Sequence, residues 1–151
     1  MSGQVDESSI SIYACRTRNF RMGSEKKMRV LIAEDERKTR GMLVEFVLAL
    51  GCEPVVASAG LEAVRKIQDV RPEVLLLDGL LPEMHGFEIA RFARGLSADY
   101  RPRVVLITAI YKRERYEKEA KQFGVDAYLT KPVDSDAVAA AIFGAAGAGK
   151  A

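Results

Sequence analysis

Cysteine is nearly missing from this chain: two residues in 151, Cys15 and Cys52. Neither stands at a metal-binding spacing, and two are too few for the disulfide framework of a small secreted domain, so they read as free thiols in a reducing cytoplasm. Histidine occurs once, at His85. No second ligand or nucleophile is spaced to use it, which makes it an incidental, loop-exposed residue. Long apolar runs are absent too: no stretch approaches the roughly 20 residues of a membrane span, and the N-terminus lacks the apolar segment of a secretory signal. Nor is there an excess of one charge. The formal +2 arises in residues 1–27, where five Lys/Arg face three Asp/Glu, and from residue 28 onward each sign numbers eighteen. A neutral fold gives no argument for nucleic acid or membrane as a partner.

What remains, 48% hydrophobic and 29% charged residues, suits one globular domain with a sizeable core. Residues 1–27 read as a flexible leader, residues 28–145 as the folded unit, and 146–151 as a flexible tail of small residues. Across the folded unit short β-branched or Leu-rich runs alternate with longer amphipathic ones, the pattern of βαβ units around a parallel sheet. Five such pairs are expected. Strand 28–33 precedes a helix over 36–50, with Met42, Leu43, Phe46, Val47 and Leu50 on its apolar side and Gly51 as the glycine beyond its end. Strand "EPVVAS" precedes a helix over 61–70 with Leu61, Val64 and Ile67 on one face. Strand 73–78 precedes a helix over 86–96, with Phe87, Ala90 and Ala93 along one stripe. Strand 103–108 precedes a charged helix over 113–123, and strand 126–130 precedes a helix opened by Asp134 or Ser135.

Strands this poor in polar residues are buried on both faces, as when helices cover both sides of a parallel sheet. Ligands of such sheets bind beyond the carboxyl ends of the strands. The residues expected there are Glu34, Asp35 and Glu36 after the first strand, Asp78 after the third, Thr108 after the fourth and Lys131 after the fifth. Glu36 reads as an acid favoured by a helix N-terminus. Clustering the other acids is unfavourable without a compensating cation, and Mg²⁺, which takes carboxylates together with water and phosphate oxygens, is the natural one. Phosphoryl chemistry follows from that pairing. On residue type alone, Thr108 is also a β-former at a strand end and Tyr128 a half-buried strand aromatic.

The segments "VLIAEDE", "VLLLDGLLPEMHGFE", "VVLITA" and "GVDAYLTKPV", in this order and spacing, resemble the receiver domain of bacterial two-component response regulators over roughly residues 28–143. The resemblance implies a flavodoxin-like doubly wound (βα)5 sandwich with a five-stranded parallel sheet of order 2-1-3-4-5. It implies that Asp78 accepts a phosphoryl group from a sensor histidine kinase or phosphotransfer protein. Glu34, Asp35, Asp78 and the backbone carbonyl of Leu80 would hold Mg²⁺, Lys131 would contact the acyl phosphate in a cis Lys131–Pro132 pair, and Thr108 with Tyr128 would form the switch. Such a protein is a phosphoacceptor switch rather than an enzyme with a diffusing substrate, and acts on a downstream protein target.

Some residues depart from the commonest pattern of that family. Glu34 replaces the more usual Asp, and His85 stands where an acid is common. Leu80 and Ile110, two residues beyond Asp78 and Thr108, are apolar where hydrolytic water must approach, so slow loss of the phosphoryl group is expected. Rival readings fit less well. A haloacid-dehalogenase-like phosphatase needs an acid two positions after its nucleophile, where Leu80 stands, and a flavodoxin-like cofactor binder needs a hydroxyl- and glycine-rich loop where this chain has "EDERK". A receiver fold acting as a phosphorylation-independent interaction scaffold remains the alternative.

Overall fold

The computed structural model describes residues 26–109 and 124–144. Among the described residues five strands and four helices follow one another: β1 (Arg29–Ala33), α1 (Arg37–Ala49), β2 (Glu53–Ala57), α2 (Gly60–Val70), β3 (Val74–Asp78), α3 (Gly86–Arg94), β4 (Arg103–Ala109), β5 (Ala127–Lys131) and α4 (Ser135–Phe143). The helix expected over 113–123, Ile110, the leader and the tail lie outside the described residues.

All strands pair in parallel, in the order β2-β1-β3-β4-β5. This is the flavodoxin-like doubly wound arrangement, and its core shows why these residues adopt it. Successive side chains of a strand point to opposite faces, so β1, β3 and β4 each feed two cores at once. Val30, Ile32, Leu76, Val105, Ile107 and Leu129 pack with α1 and α4 on one face. Leu31, Leu75, Leu77, Val104 and Leu106 pack with α2 and α3 on the other. Every residue of β3 is buried, which is what a continuous apolar run in a central parallel strand requires. Truncating one of these side chains, Leu76→Ala for example, would cost about 2–5 kcal/mol.

Strand β2 departs from the expectation of two-sided burial. It pairs only with β1, and Glu53 and Val56 are exposed. Pro54, which cannot donate to a ladder, is tolerated at this edge. The apolar face of α2 is also rotated from the expected one. Gly60, Ala63 and Ile67 are buried, whereas Leu61 is 58% exposed. Small residues win because the helix must approach the sheet and the loop after β3 closely: a Cβ on Gly60 would collide with Met84. Helix α1 runs as expected, with Leu43, Val47 and Leu50 buried, and Gly51 continues from it at a left-handed φ of 78°. Helix α3 stops at Arg94, short of Leu96. Strand β5 sits one residue later than expected, which places Lys131 in its last position.

Candidate functional site

The parallel register aligns the carboxyl ends of four strands. Ala33 pairs with Leu77, Asp78 with Ile107, Thr108 with Thr130 and Ala109 with Lys131. Two further backbone bonds, Glu34 N–H to Ala57 O and Gly79 N–H to Ile107 O (both 3.0 Å), extend the ladders just past the strands. Side chains far apart in the chain therefore meet at one edge. Among the described residues the buried polar or charged ones are Glu34 (1% exposed), Asp78 (7%) and Thr108 (2%). All lie here. Burying acids is costly unless each is paired, so this concentration marks the site.

Glu34, Asp35 and Asp78 each bring a carboxylate oxygen to within 4.8 Å of the others. Lys131 Nζ reaches the same point from β5, 3.2 Å from Glu34 Oε1 and 3.4 Å from Asp78 Oδ2. Glu34 Oε2 accepts from the Glu36 N–H at 3.1 Å, and Asp78 Oδ1 accepts from the Leu80 N–H at 3.2 Å. Burial, then the charge of Asp78, pushes the Glu34 carboxyl up to about 7, against the opposing pull of its bond to Glu36 and of Lys131. Burial works against the Lys131 ammonium, but the charges of Asp78 and Glu34 and the bonds to both outweigh it and hold its pKa above the ordinary value. The pocket is thus an acid cluster that one lysine neutralises only in part. An all-oxygen donor set of this size and surplus negative charge suits a hard divalent cation of the Mg²⁺ kind.

Of the sequence-predicted residues, Asp78, Glu34, Asp35 and Lys131 come together directly. Thr108 is buried one residue beyond Ile107, the partner of Asp78 in the register. Leu80 turns its N–H onto Asp78 and leaves its side chain 49% exposed. Tyr128, in register with Leu106, is buried on the α2–α3 face of the sheet. The Lys131–Pro132 peptide is cis, as the resemblance implied. Glu36 does what a helix-start acid does. It is the N-cap of α1, and its side chain accepts from the Thr39 N–H. Asp134, one of the two expected candidates, caps α4 in the same way.

His85 is not incidental. Its Nδ1 accepts from the Phe87 N–H at 3.2 Å, its backbone N–H donates to Glu88 Oε1 at 2.9 Å, and its ring stacks on Phe87 at 5.0 Å. It is the N-cap of α3 in a reciprocal capping box. The Glu three residues on was the signal available in the sequence. Two other contributors escaped sequence reading. Glu83, at a left-handed φ of 76°, accepts from the Leu61 N–H, while Pro82 O accepts from the Gly60 N–H at 3.0 Å. The loop after Asp78 thereby caps α2, whose own N-cap, Ala59, has no side chain to do so. Arg40, on α1, donates to the carbonyls of Glu34 and Asp35. The Glu83 contact joins groups 22 residues apart, and the Arg40 contact is local but has no pattern of residue types to announce it.

The groups available at this edge are therefore a strand-end carboxylate, an acid cluster able to hold a cation and an ammonium. No helix among the described residues is long and apolar enough to cross a membrane. Comparison with known proteins agrees with the fold. A protein of 14.6 kDa from Leptolyngbya boryana, itself uncharacterized, is 33% identical over 108 residues, covering 72% of this chain and 82% of the relative. The chemotaxis response regulator CheY4 of Vibrio cholerae superposes with a TM-score of 0.68 at 28% identity, over 74% of this chain and 92% of that one. The receiver domain of the Saccharomyces cerevisiae response regulator Ssk1, crystallised with the histidine phosphotransfer protein Ypd1, superposes with a TM-score of 0.69 at 26% identity, over 77% and 86%. Residues 30–143 match the response regulator receiver domain family. A parallel sheet of this order, carrying acids and a lysine at the ends of its strands, and a family match across most of the sequence lead to one conclusion: the chain belongs to the receiver domains of two-component response regulators.

Proposed function

We propose that Asp78 accepts a phosphoryl group from the phosphohistidine of a sensor kinase or phosphotransfer protein, and that the modified chain then engages a downstream protein. An Asp78 carboxylate oxygen forms the new P–O bond as the P–N bond breaks, and the imidazole of the partner leaves. In-line transfer of this kind is governed by positioning and by stabilising the charge on the phosphoryl oxygens. Asp78 suits the nucleophile's part because it ends a wholly buried strand, and the Leu80 N–H fixes one of its oxygens. Lys131, already against Asp78, would follow the incoming anion as a compact charge.

Glu34, Asp35, Asp78 and the Leu80 carbonyl are the groups that would hold Mg²⁺, which when bound neutralises charge on the phosphoryl oxygens. The Thr108 hydroxyl would donate to a phosphoryl oxygen, and the Tyr128 ring would reorient into the space vacated. Two or three charge-assisted bonds of roughly 1.5–3 kcal/mol each match the roughly 5.5 kcal/mol that reverses a switch from 1:99 to 99:1. Residues 28–145 form the receiver unit in this reading, flanked by the leader 1–27 and the tail 146–151.

The single observation that carries the proposal is the meeting of Glu34, Asp35, Asp78 and Lys131 in one pocket. Its test is incubation with Mg²⁺ and acetyl phosphate or beryllofluoride, read by intact mass or spectroscopy. The expected result is one adduct on the wild type and none on Asp78→Asn. A wild type that forms no adduct would leave a phosphorylation-independent scaffold as the function.

A further inference from the structure

We infer that Arg40 is a positioning residue for the cation site: it pre-organises the acidic loop through its backbone, and Asp35 above all. The inference rests on the reading that Glu34, Asp35 and Asp78 take a divalent cation.

The three acids are not held alike. Glu34 and Asp78 are buried, and each carboxylate has Lys131 on one oxygen and a backbone N–H on the other. Asp35 is exposed, and its carboxylate takes no hydrogen bond or ion pair among the described residues. With no side-chain partner to hold it, that carboxylate is placed by its backbone and its own rotamer, and the backbone is the part the rest of the protein can fix. The backbone on either side is fixed by Glu34 N–H to Ala57 O (3.0 Å) and by Arg40 N–H to Glu36 O (2.9 Å). Between those anchors the carbonyls of Glu34 and Asp35 have one common partner. Arg40 Nη1 donates to the first at 3.0 Å and to the second at 3.3 Å, reaching back from α1 across the turn that joins it to β1.

A guanidinium is suited to this because it is permanently charged and presents several donors in a rigid plane. Groups that orient metal ligands without touching the metal commonly change affinity about 10–100-fold when removed. Electrostatics alone gives the opposite sign here, since removing a nearby positive charge strengthens the attraction of an acid cluster for a cation. The direction of the change therefore separates positioning from mere charge.

Calorimetric titration of Mg²⁺ into the full chain, alongside thermal unfolding in metal-free buffer, tests this on wild type, Arg40→Met and Arg40→Lys. Positioning predicts that Arg40→Met weakens Mg²⁺ binding about tenfold, and that Arg40→Lys, able to serve one carbonyl, falls between. In acetyl phosphate reactions the Mg²⁺ concentration giving half the maximal rate should rise, with the rate at saturating Mg²⁺ largely kept. Unchanged or tighter Mg²⁺ binding by a folded Arg40→Met, with only its thermal midpoint lowered, would overturn the inference. If Arg40→Met does not fold, Arg40→Lys decides by the same readout, and Mg²⁺ affinity equal to wild type overturns it. A wild type that does not bind Mg²⁺ would overturn the reading of the site itself.

Discussion

Glu34 Oε1 and Lys131 Nζ lie 3.2 Å apart, although β1 and β5 are separated in the sheet by β3 and β4. The lysine crosses the mouth of the site to reach an acid of almost no solvent exposure, and touches Asp78 on the way. It acts as the internal counter-ion of the pocket. Replacing it leaves buried acids to repel each other, and removing one partner of a buried charge pair is strongly unfavourable.

Lys131→Met is expected to lower the stability of the metal-free protein by about 1–3 kcal/mol and to enlarge the rise in melting temperature that Mg²⁺ produces, because the cation then has more repulsion to relieve. Thermal unfolding of both proteins with and without Mg²⁺ checks this. Equal Mg²⁺-induced shifts would show that Lys131 carries no such load.

The Glu34 carboxyl, raised to about 7 from an ordinary value of 4.5 by burial and then by Asp78, keeps a proton in the fold that the unfolded chain releases. A native state binding more protons than the unfolded one loses stability as pH rises. The stability contributed by this proton is fully present below the unfolded value and lost as pH climbs through about 7. Mg²⁺ competes with the same proton, so its affinity should increase over that window. Urea unfolding between pH 5 and pH 8 (about three units, the span in which carboxylates raised this far titrate) should show a downward slope without Mg²⁺ and a flatter one with it. A rising slope without Mg²⁺ contradicts the assignment.

Leu80 exposes half of its side chain next to Asp78 and offers nothing that orients water. Leu80→Asn, alone or with Ile110→Glu, is expected to shorten the lifetime of the phosphorylated state several-fold. Decay followed by mass spectrometry after removal of acetyl phosphate gives the answer, and unchanged decay would count against the role of these side chains in water access.

His85→Ala removes the acceptor for the Phe87 N–H and the ring stacked on Phe87. Loss of a helix N-cap of this kind costs about 1 kcal/mol. The expected signature is a lowered urea midpoint with adduct formation on Asp78 retained. Loss of adduct formation in a protein that still folds would give His85 a chemical task.

Gly86→Ala probes the same loop from its backbone. The added Cβ would lie 2.7 Å from the Asp78 carbonyl oxygen and 2.9 Å from Leu106 Cδ1. Overpacking at such a contact costs about 1–3 kcal/mol, and here it would also displace the strand end that carries Asp78. Denaturant unfolding and acetyl phosphate labelling should both be impaired. A variant as stable and as reactive as wild type would show that the loop yields freely.

The sequence by itself determined the alternation of strands and helices and hence the parallel sheet, because hydrophobic periodicity is a local property of each run. Val74 to Leu77, in their place in that alternation, read as an interior strand, and the acids that close "VLIAED" and "VLLLD" then fall at the carboxyl edge of the sheet. The family resemblance implied a part for each acid. What the tertiary structure alone decided is which of these groups touch. Lys131 against Glu34 is a relation across the sheet and Glu83 capping a helix that begins far earlier in the chain one between loops, while Arg40 folds back over its own turn onto the carbonyls of the acidic loop. Leu61 went to solvent because Gly60 had to approach Met84, a constraint no helical period contains. Periodicity gives each run its element type; which residues of a helix meet the sheet, and the distances that gather acids around a lysine or set a carboxyl near neutrality, exist only once the register has brought separate strands together.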